Sequence, residues 1–128
     1  KDEFYRLMGL TFYDQPFLPW PAKPALARQY MTKYAFNKKM WEDIHNREEE
    51  MNLSARLGEL ALPVLILWGD TDNLLHVSSV DVFSDLLPND KAVIMEKCGH
   101  VPMMERPQET AQHYLQFIQN ASGTQADD

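Results

Sequence analysis

The chain has 128 residues, 45% of them hydrophobic, and a formal charge of −7 from 12 basic and 19 acidic side chains. That length suffices for one domain with a real core, and the acidic balance argues against a nucleic-acid partner, because a phosphate backbone needs a basic face to bind. A single cysteine, Cys98, excludes an intrachain disulfide framework, and no apolar stretch approaches the roughly 20 residues that cross a bilayer. No signal-peptide pattern opens the chain, so its composition suits a soluble protein and leaves its compartment unknown.

The first residue is Lys1, and the chain runs at once into the helix-like Phe4-Tyr5-Arg6-Leu7-Met8, as in the middle of a longer protein. Pro16, Pro19, Pro21 and Pro24 then punctuate an aromatic connector. Each fixes its own φ and pushes its predecessor out of the α region, which predicts an extended or turning path. Leu26, Tyr30, Lys33 and Tyr34 share one helical face, predicting a helix from Ala25 to Ala35. A second helix is expected from an Asn37 N-cap, with Met40, Trp41 and Ile44 as its apolar stripe. Glu48-Glu49-Glu50 reads as a solvated run rather than a metal site.

From Ala61 the pattern becomes strand, helix, strand, helix. Val64-Leu65-Ile66-Leu67-Trp68 is continuously apolar, as in a strand buried on both faces of a helix-covered parallel sheet. Ser78 or Ser79 can cap a helix carrying Val82, Phe83, Leu86 and Leu87, which Pro88-Asn89-Asp90 ends. Lys91 to Met95 is the second strand. Pro107 suits the first turn of a last helix whose apolar face is Ala111, Tyr114, Leu115 and Ile118. The segment after Asn120 is small, polar and acidic, and reads as a frayed tail. A βαβα order makes the two strands parallel. Two strands make no stable open sheet by themselves, so the rest is expected from sequence outside these residues or from a second copy.

Catalytic groups of such sheets sit beyond the carboxyl ends of the strands. Asp72 follows the first strand by a turn at Gly69, and His100 follows the second by a loop containing Gly99. A carboxylate on one imidazole nitrogen fixes the tautomer and leaves the other nitrogen free to take a proton. Either residue alone would read as an ordinary loop residue. Together, in this order behind two apolar strands, they read as the acid and base of an acyl-transfer site. His76 reads as an exposed loop histidine. Cys98 reads as a small buried side chain, since no second cysteine or spaced histidine cluster supports a metal site.

The apolar strand ending in Trp68-Gly69-Asp70-Thr71-Asp72, then Cys98-Gly99-His100, then Glu105-Arg106-Pro107, resembles the C-terminal half of the α/β-hydrolase family. The family pattern selects Asp72 over Asp70 as the acid and His100 as the base, and gives Glu105 a structural part in holding the histidine loop and the following helix. Ala27-Arg28-Gln29 and Phe36-Asn37-Lys38-Lys39 are similar to the cap of bacterial lipases and monoacylglycerol-lipase-like enzymes. The resemblance implies an α/β chain with a helical cap segment over residues 1–60, the last two parallel strands and flanking helices of the hydrolase core over 61–120, and a disordered tail over 121–128.

Its implied activity is hydrolysis of an apolar acyl ester through a Ser-His-Asp triad without metal or cofactor. Met103, Met104 and the aromatics of residues 4–41 are candidates to line the acyl pocket. No Gly-x-Ser-x-Gly elbow occurs, and Ser54, Ser78, Ser79, Ser84 and Ser122 stand in no strand-turn-helix context. The nucleophile is therefore expected outside these residues, and the chain by itself is expected to be inactive. The alternatives on the same scaffold are an epoxide hydrolase, a haloalkane dehalogenase, a carbon–carbon bond hydrolase, a peroxidase-like enzyme, or a non-catalytic binding or assembly protein.

Overall fold

The computed structural model describes residues 2–47, 50 and 52–123. Phe4 to Met8 lies within α1 (Asp2–Thr11), whose first turn carries Asp2 and Glu3, where negative charge suits the unpaired N–H groups of a helix start. Residues 12–19 hold no helix or strand, as the prolines predict.

The next two helices depart from the predicted boundaries. α2 (Ala22–Thr32) starts ahead of Ala25 and takes in Pro24. A proline that early costs nothing, because the first N–H groups of a helix have no partner within it. The break comes at Lys33, whose N–H donates to the Tyr30 carbonyl at 3.1 Å, three residues back instead of four. α3 (Tyr34–His45) follows at once. Asn37 is thus not its cap but lies inside it, donating its N–H to the Lys33 carbonyl at 2.9 Å. Met40, Trp41 and Ile44 are exposed rather than packed as a buried stripe, and Trp41 lies against the His45 ring at 4.6 Å. α1 and α2 join through Phe4 and Tyr30, with ring centres 5.6 Å apart, over a fully buried Ala27.

Of the acidic run, Glu48 and Glu49 lie outside the described residues, while Glu50 meets Arg47 at 2.6 Å on the surface. A single turn, α4 (Ser54–Leu57), leads to the sheet.

β1 (Val64–Gly69) and β2 (Asp90–Met95) pair in parallel, from Val64 opposite Asp90 to Gly69 opposite Met95. α5 (Ser79–Leu86) crosses between them, and its Val80, with Leu87 just past its end, is buried against Ile66, with Leu57, Val64, Trp68 and Val77 packed around. Each fully buried aliphatic side chain in such a cluster contributes roughly 1.5–3 kcal/mol. β1 is half-buried along most of its length rather than buried on both faces, since β2 is its one neighbour among the described residues. Val82 and Phe83 lie in α5 as predicted and are exposed, because the helix turns Val80 to the sheet.

A single turn, α6 (Pro102–Glu105), opens on Pro102 as the last helix does on Pro107 and precedes α7 (Pro107–Gly123). Thr110 of α7 docks onto Met95, its hydroxyl 3.9 Å from the sulfur. That rotation half-buries Thr110, His113 and Phe117 and leaves the predicted apolar face, Ala111, Tyr114, Leu115 and Ile118, exposed. The helix also runs past Asn120 to Gly123, so the start of the expected tail is helical; residues 124–128 lie outside the described ones.

Gly69 closes β1 where the two strand ends converge. A Cβ there would sit 2.2 Å from the carbonyl oxygens of both Cys98 and Gly99, and backbone cannot yield as a flexible side chain can. Gly69→Ala is expected to destabilise the protein by about 3 kcal/mol, the upper range for overpacking; urea unfolding measures this, and an unchanged midpoint would refute the close passage.

Candidate active site

The loop that carries Asp72 is built from local bonds. After Gly69 the chain turns, and the Asp72 carboxylate folds over its own loop to accept the N–H groups of Leu74 at 2.8 Å and Leu75 at 3.0 Å through Oδ1. This is the habit of aspartate in turns. Trp68 supports the same loop, its indole N–H donating to the Leu75 carbonyl at 3.1 Å. Asp72 is 8% exposed, the one buried charged residue among those described.

The histidine loop is gripped from several sides. The Asp70 N–H donates to the Met95 carbonyl at 3.0 Å, and the Cys98 N–H donates to Asp70 Oδ1 at 3.2 Å. Both the N–H and the hydroxyl of Thr71 donate to the Cys98 carbonyl, at 3.1 and 2.8 Å. Residues 70 and 71 therefore hold both sides of Cys98, and Asp70 is a loop-binding residue. Lys97 takes a positive φ of 51° at the start of this loop. From the other side, the Gly99 N–H donates to Glu105 Oε1 at 2.8 Å and the His100 N–H to the Thr11 carbonyl at 2.8 Å. Arg106 donates to the Lys97 carbonyl at 3.2 Å.

These grips bring Asp72 and His100 together, with Nδ1 to Oδ2 at 2.8 Å. An ionised carboxylate can only accept, so Nδ1 carries the proton and Nε2 keeps its lone pair. The imidazole is about a third exposed, its side chain at 34%, against 3% for the Asp72 side chain. The orienting group is sealed off and the ring faces outward.

Burial works against ionising Asp72, but the Leu75 N–H, the His100 ring and the Leu74 N–H outweigh it and hold the carboxyl below its ordinary 3.8. Asp70 is lowered likewise: desolvation opposes, and the N–H groups of Cys98 and Lys97 prevail. Cys98 goes the other way. Fully buried, and with Glu105 adding repulsion, its thiol is pushed up to about 11, which leaves very little nucleophilic thiolate near neutral pH.

His76 is exposed, as expected, and its Nδ1 meets the Ser78 hydroxyl at 2.9 Å. Ser78 thus serves His76 instead of capping α5. Ser84 donates to Asp90 Oδ2 at 2.7 Å, at the opposite end of β2 from His100. Among the described residues no group of three His, Cys, Asp or Glu side chains could hold a metal ion, and no helix is long and apolar enough to cross a membrane.

Five supporting residues are not marked in the sequence: Leu74, Leu75, Thr11, Tyr13 and Asp14. The N–H groups of Leu74 and Leu75 could have been anticipated from the turn habit of aspartate. Thr11, Tyr13 and Asp14 could not, since their backbone groups meet partners about 90 residues away along the chain. Beside them, an apolar cavity of about 360 Å3 is lined by Phe4, Met8, Phe12, Leu18, Leu26 and Met104 among others.

A family model described as alpha/beta hydrolase fold matches residues 11–107. Lipase 1 of Psychrobacter immobilis is 30% identical over 119 residues, covering 91% of this chain and 37% of its own length. A monoacylglycerol lipase of Homo sapiens is 29% identical over 123 residues, covering 96% and 36%. The chain thus spans little more than a third of the curated relatives it matches. In solved structures, a bacterial membrane phospholipase A superposes with a TM-score of 0.87 at 42% identity over 94% of this chain and 38% of that one. A candidate lipase from Acinetobacter baumannii AYE gives 0.89 at 25% identity over 98% and 43%.

Because the Asp72 carboxyl is lowered on folding, its contribution to stability is complete above the ordinary 3.8 and disappears only as pH falls through the lower folded value. Carbon-13 NMR titration of the Asp72 carboxyl should show a midpoint below 3.8, and Asp72→Asn should flatten the acid limb of the stability curve. A midpoint at or above the ordinary value would contradict the hydrogen-bonded geometry.

Proposed function

The chain belongs to the α/β-hydrolase fold family, and on that premise we propose that it carries the helical cap and the acid and base loops of a serine hydrolase that cleaves apolar acyl esters. The observation that carries this reading is the 2.8 Å bond between Asp72 and His100 at the carboxyl ends of adjacent parallel strands. Lipases and monoacylglycerol lipases among the relatives support the ester chemistry.

In this reading a serine outside these 128 residues attacks the acyl carbonyl. His100 Nε2 takes the hydroxyl proton as the new C–O bond forms, then gives it to the departing alcohol as the ester bond breaks. Water repeats the sequence on the acyl-enzyme, returning the proton to the serine and releasing the acid. Asp72 stays ionised throughout, holds the Nδ1 proton and stabilises the imidazolium. The lowered carboxyl suits that part, and the partly exposed ring suits a base that must meet a substrate.

The apolar cavity supports an apolar acyl group. Phe12 follows Thr11, whose carbonyl binds the His100 N–H, and Met104 bonds back to Val101, so the cavity lies next to the histidine loop.

Two experiments test the reading. In the enzyme that contains this chain together with its elbow, His100→Ala should lower kcat by roughly 100- to 10,000-fold, the usual share of general acid–base catalysis, with the protein still folded. Retained ester hydrolysis would sink the assignment, as would fluorophosphonate labelling of the 128-residue chain itself. Second, Met104→Trp should shorten the preferred acyl chain in a p-nitrophenyl ester series by filling part of the cavity. An unchanged preference would place the acyl group elsewhere.

A further inference from the structure

Glu105 does more than hold the turn that follows the histidine. Its Oε1 accepts the Gly99 N–H at 2.8 Å, while its Oε2 accepts the N–H groups of Tyr13 at 2.9 Å and Asp14 at 3.1 Å. The carboxylate thus spans two segments, the histidine loop and the chain leaving α1. Those segments also meet directly, through the His100 N–H on the Thr11 carbonyl. They lie so close that a Cβ on Gly99 would stand 2.6 Å from the Thr11 oxygen and 2.8 Å from both the Tyr13 nitrogen and Glu105 Oε1.

We infer that Glu105 is a positioning residue for His100 and that it acts by clamping the loop to residues 11–14, so that the end of α1 is part of the frame that aims the imidazole. The inference rests on the proposed role of His100. Its physical basis is leverage. His100 is fixed at its ring by one bond to Asp72 and at its backbone by the Thr11 carbonyl; the peptide before it is fixed by Glu105. A charged acceptor of three N–H groups ties more firmly than the neutral Thr11 carbonyl. Without it, the loop can move relative to Asp72, and small misplacements of a catalytic group cost rate far more than affinity.

The arrangement also distinguishes Glu105 from a residue that merely stabilises the fold. Gln keeps the shape and one acceptor oxygen but turns an NH2 group toward N–H donors on the other side. It should loosen one arm of the clamp while the chain remains folded. Ala should loosen both.

The test compares Glu105→Gln and Glu105→Ala in the enzyme that includes the elbow, with three readouts. For Glu105→Gln, kcat should fall about tenfold with KM within twofold of the parent, and for Glu105→Ala about a hundredfold. The proton NMR signal of His100 Nδ1 should broaden or shift upfield as its bond to Asp72 weakens. Amide exchange at Gly99, Tyr13 and Asp14 should rise together, ahead of exchange in β1 and β2. Unchanged exchange at Tyr13 and Asp14 would overturn the clamp, and so would a loss of kcat with an unaltered Nδ1 signal. Exchange and the Nδ1 signal report on the clamp whether or not His100 is the base, whereas His100→Ala reports on the base alone, so the two ideas fail separately.

Discussion

The geometry of the site depends on one close passage, that of Gly69 beneath the Cys98–Gly99 peptides. Because Gly69 carries no side chain, the end of β1 can come against the loop that follows β2. Asp70 and Thr71 then reach both the N–H and the carbonyl of Cys98. Parallel pairing makes the carboxyl ends of the strands neighbours, yet it does not fix the loops that leave them. The passage at Gly69 supplies that missing constraint, and the 2.8 Å bond between Asp72 and His100 follows from it.

The parts that could be read in the sequence are those whose physics is local. An apolar run, a glycine at its end and an aspartate in the following turn are neighbours along the chain, so their consequences could be predicted from their order. The same holds for β2, α5 and the start of α7 at Pro107. The parts that could not be read depend on distant partners. Nothing in the residue type marks Lys33 as the break between α2 and α3. Nothing shows that α7 will dock through Thr110 and leave Tyr114, Leu115 and Ile118 exposed. Hydrophobic periodicity finds a helix and its most apolar stripe, but which stripe is covered is decided by what lies opposite. Exposed apolar faces on α3, α5 and α7 share that cause: among the described residues there is too little opposite them.

Burial divides the pair sharply. Asp72 is enclosed and satisfied, with both oxygens accepting hydrogen bonds, whereas the His100 ring is partly open. Such a division suits a proton shuttle. An orienting carboxylate works best when it stays ionised and does not exchange partners with water, and a base must reach a substrate. Cys98 beside it shows the opposite use of burial: the same enclosure that shields the loop pushes its thiol up to about 11 and keeps it protonated near neutral pH.

The two halves of the pair are held by different kinds of bond, and that difference sets how each responds to change. Asp72 takes its position from N–H groups two and three residues ahead, so its geometry travels with the loop wherever the loop is placed. His100 takes its position from Thr11, Glu105 and, through Cys98, from Asp70 and Thr71, which come from three separate parts of the chain. A substitution that disturbs only the turn after Asp72, at residues 73–75, should act on Asp72 alone. A displacement at the end of α1, in α6 or at the close of β1 converges on His100, because each holds part of the loop that carries it. His100 is therefore where changes elsewhere in the molecule are felt, and Asp72 is the fixed point against which its movement counts.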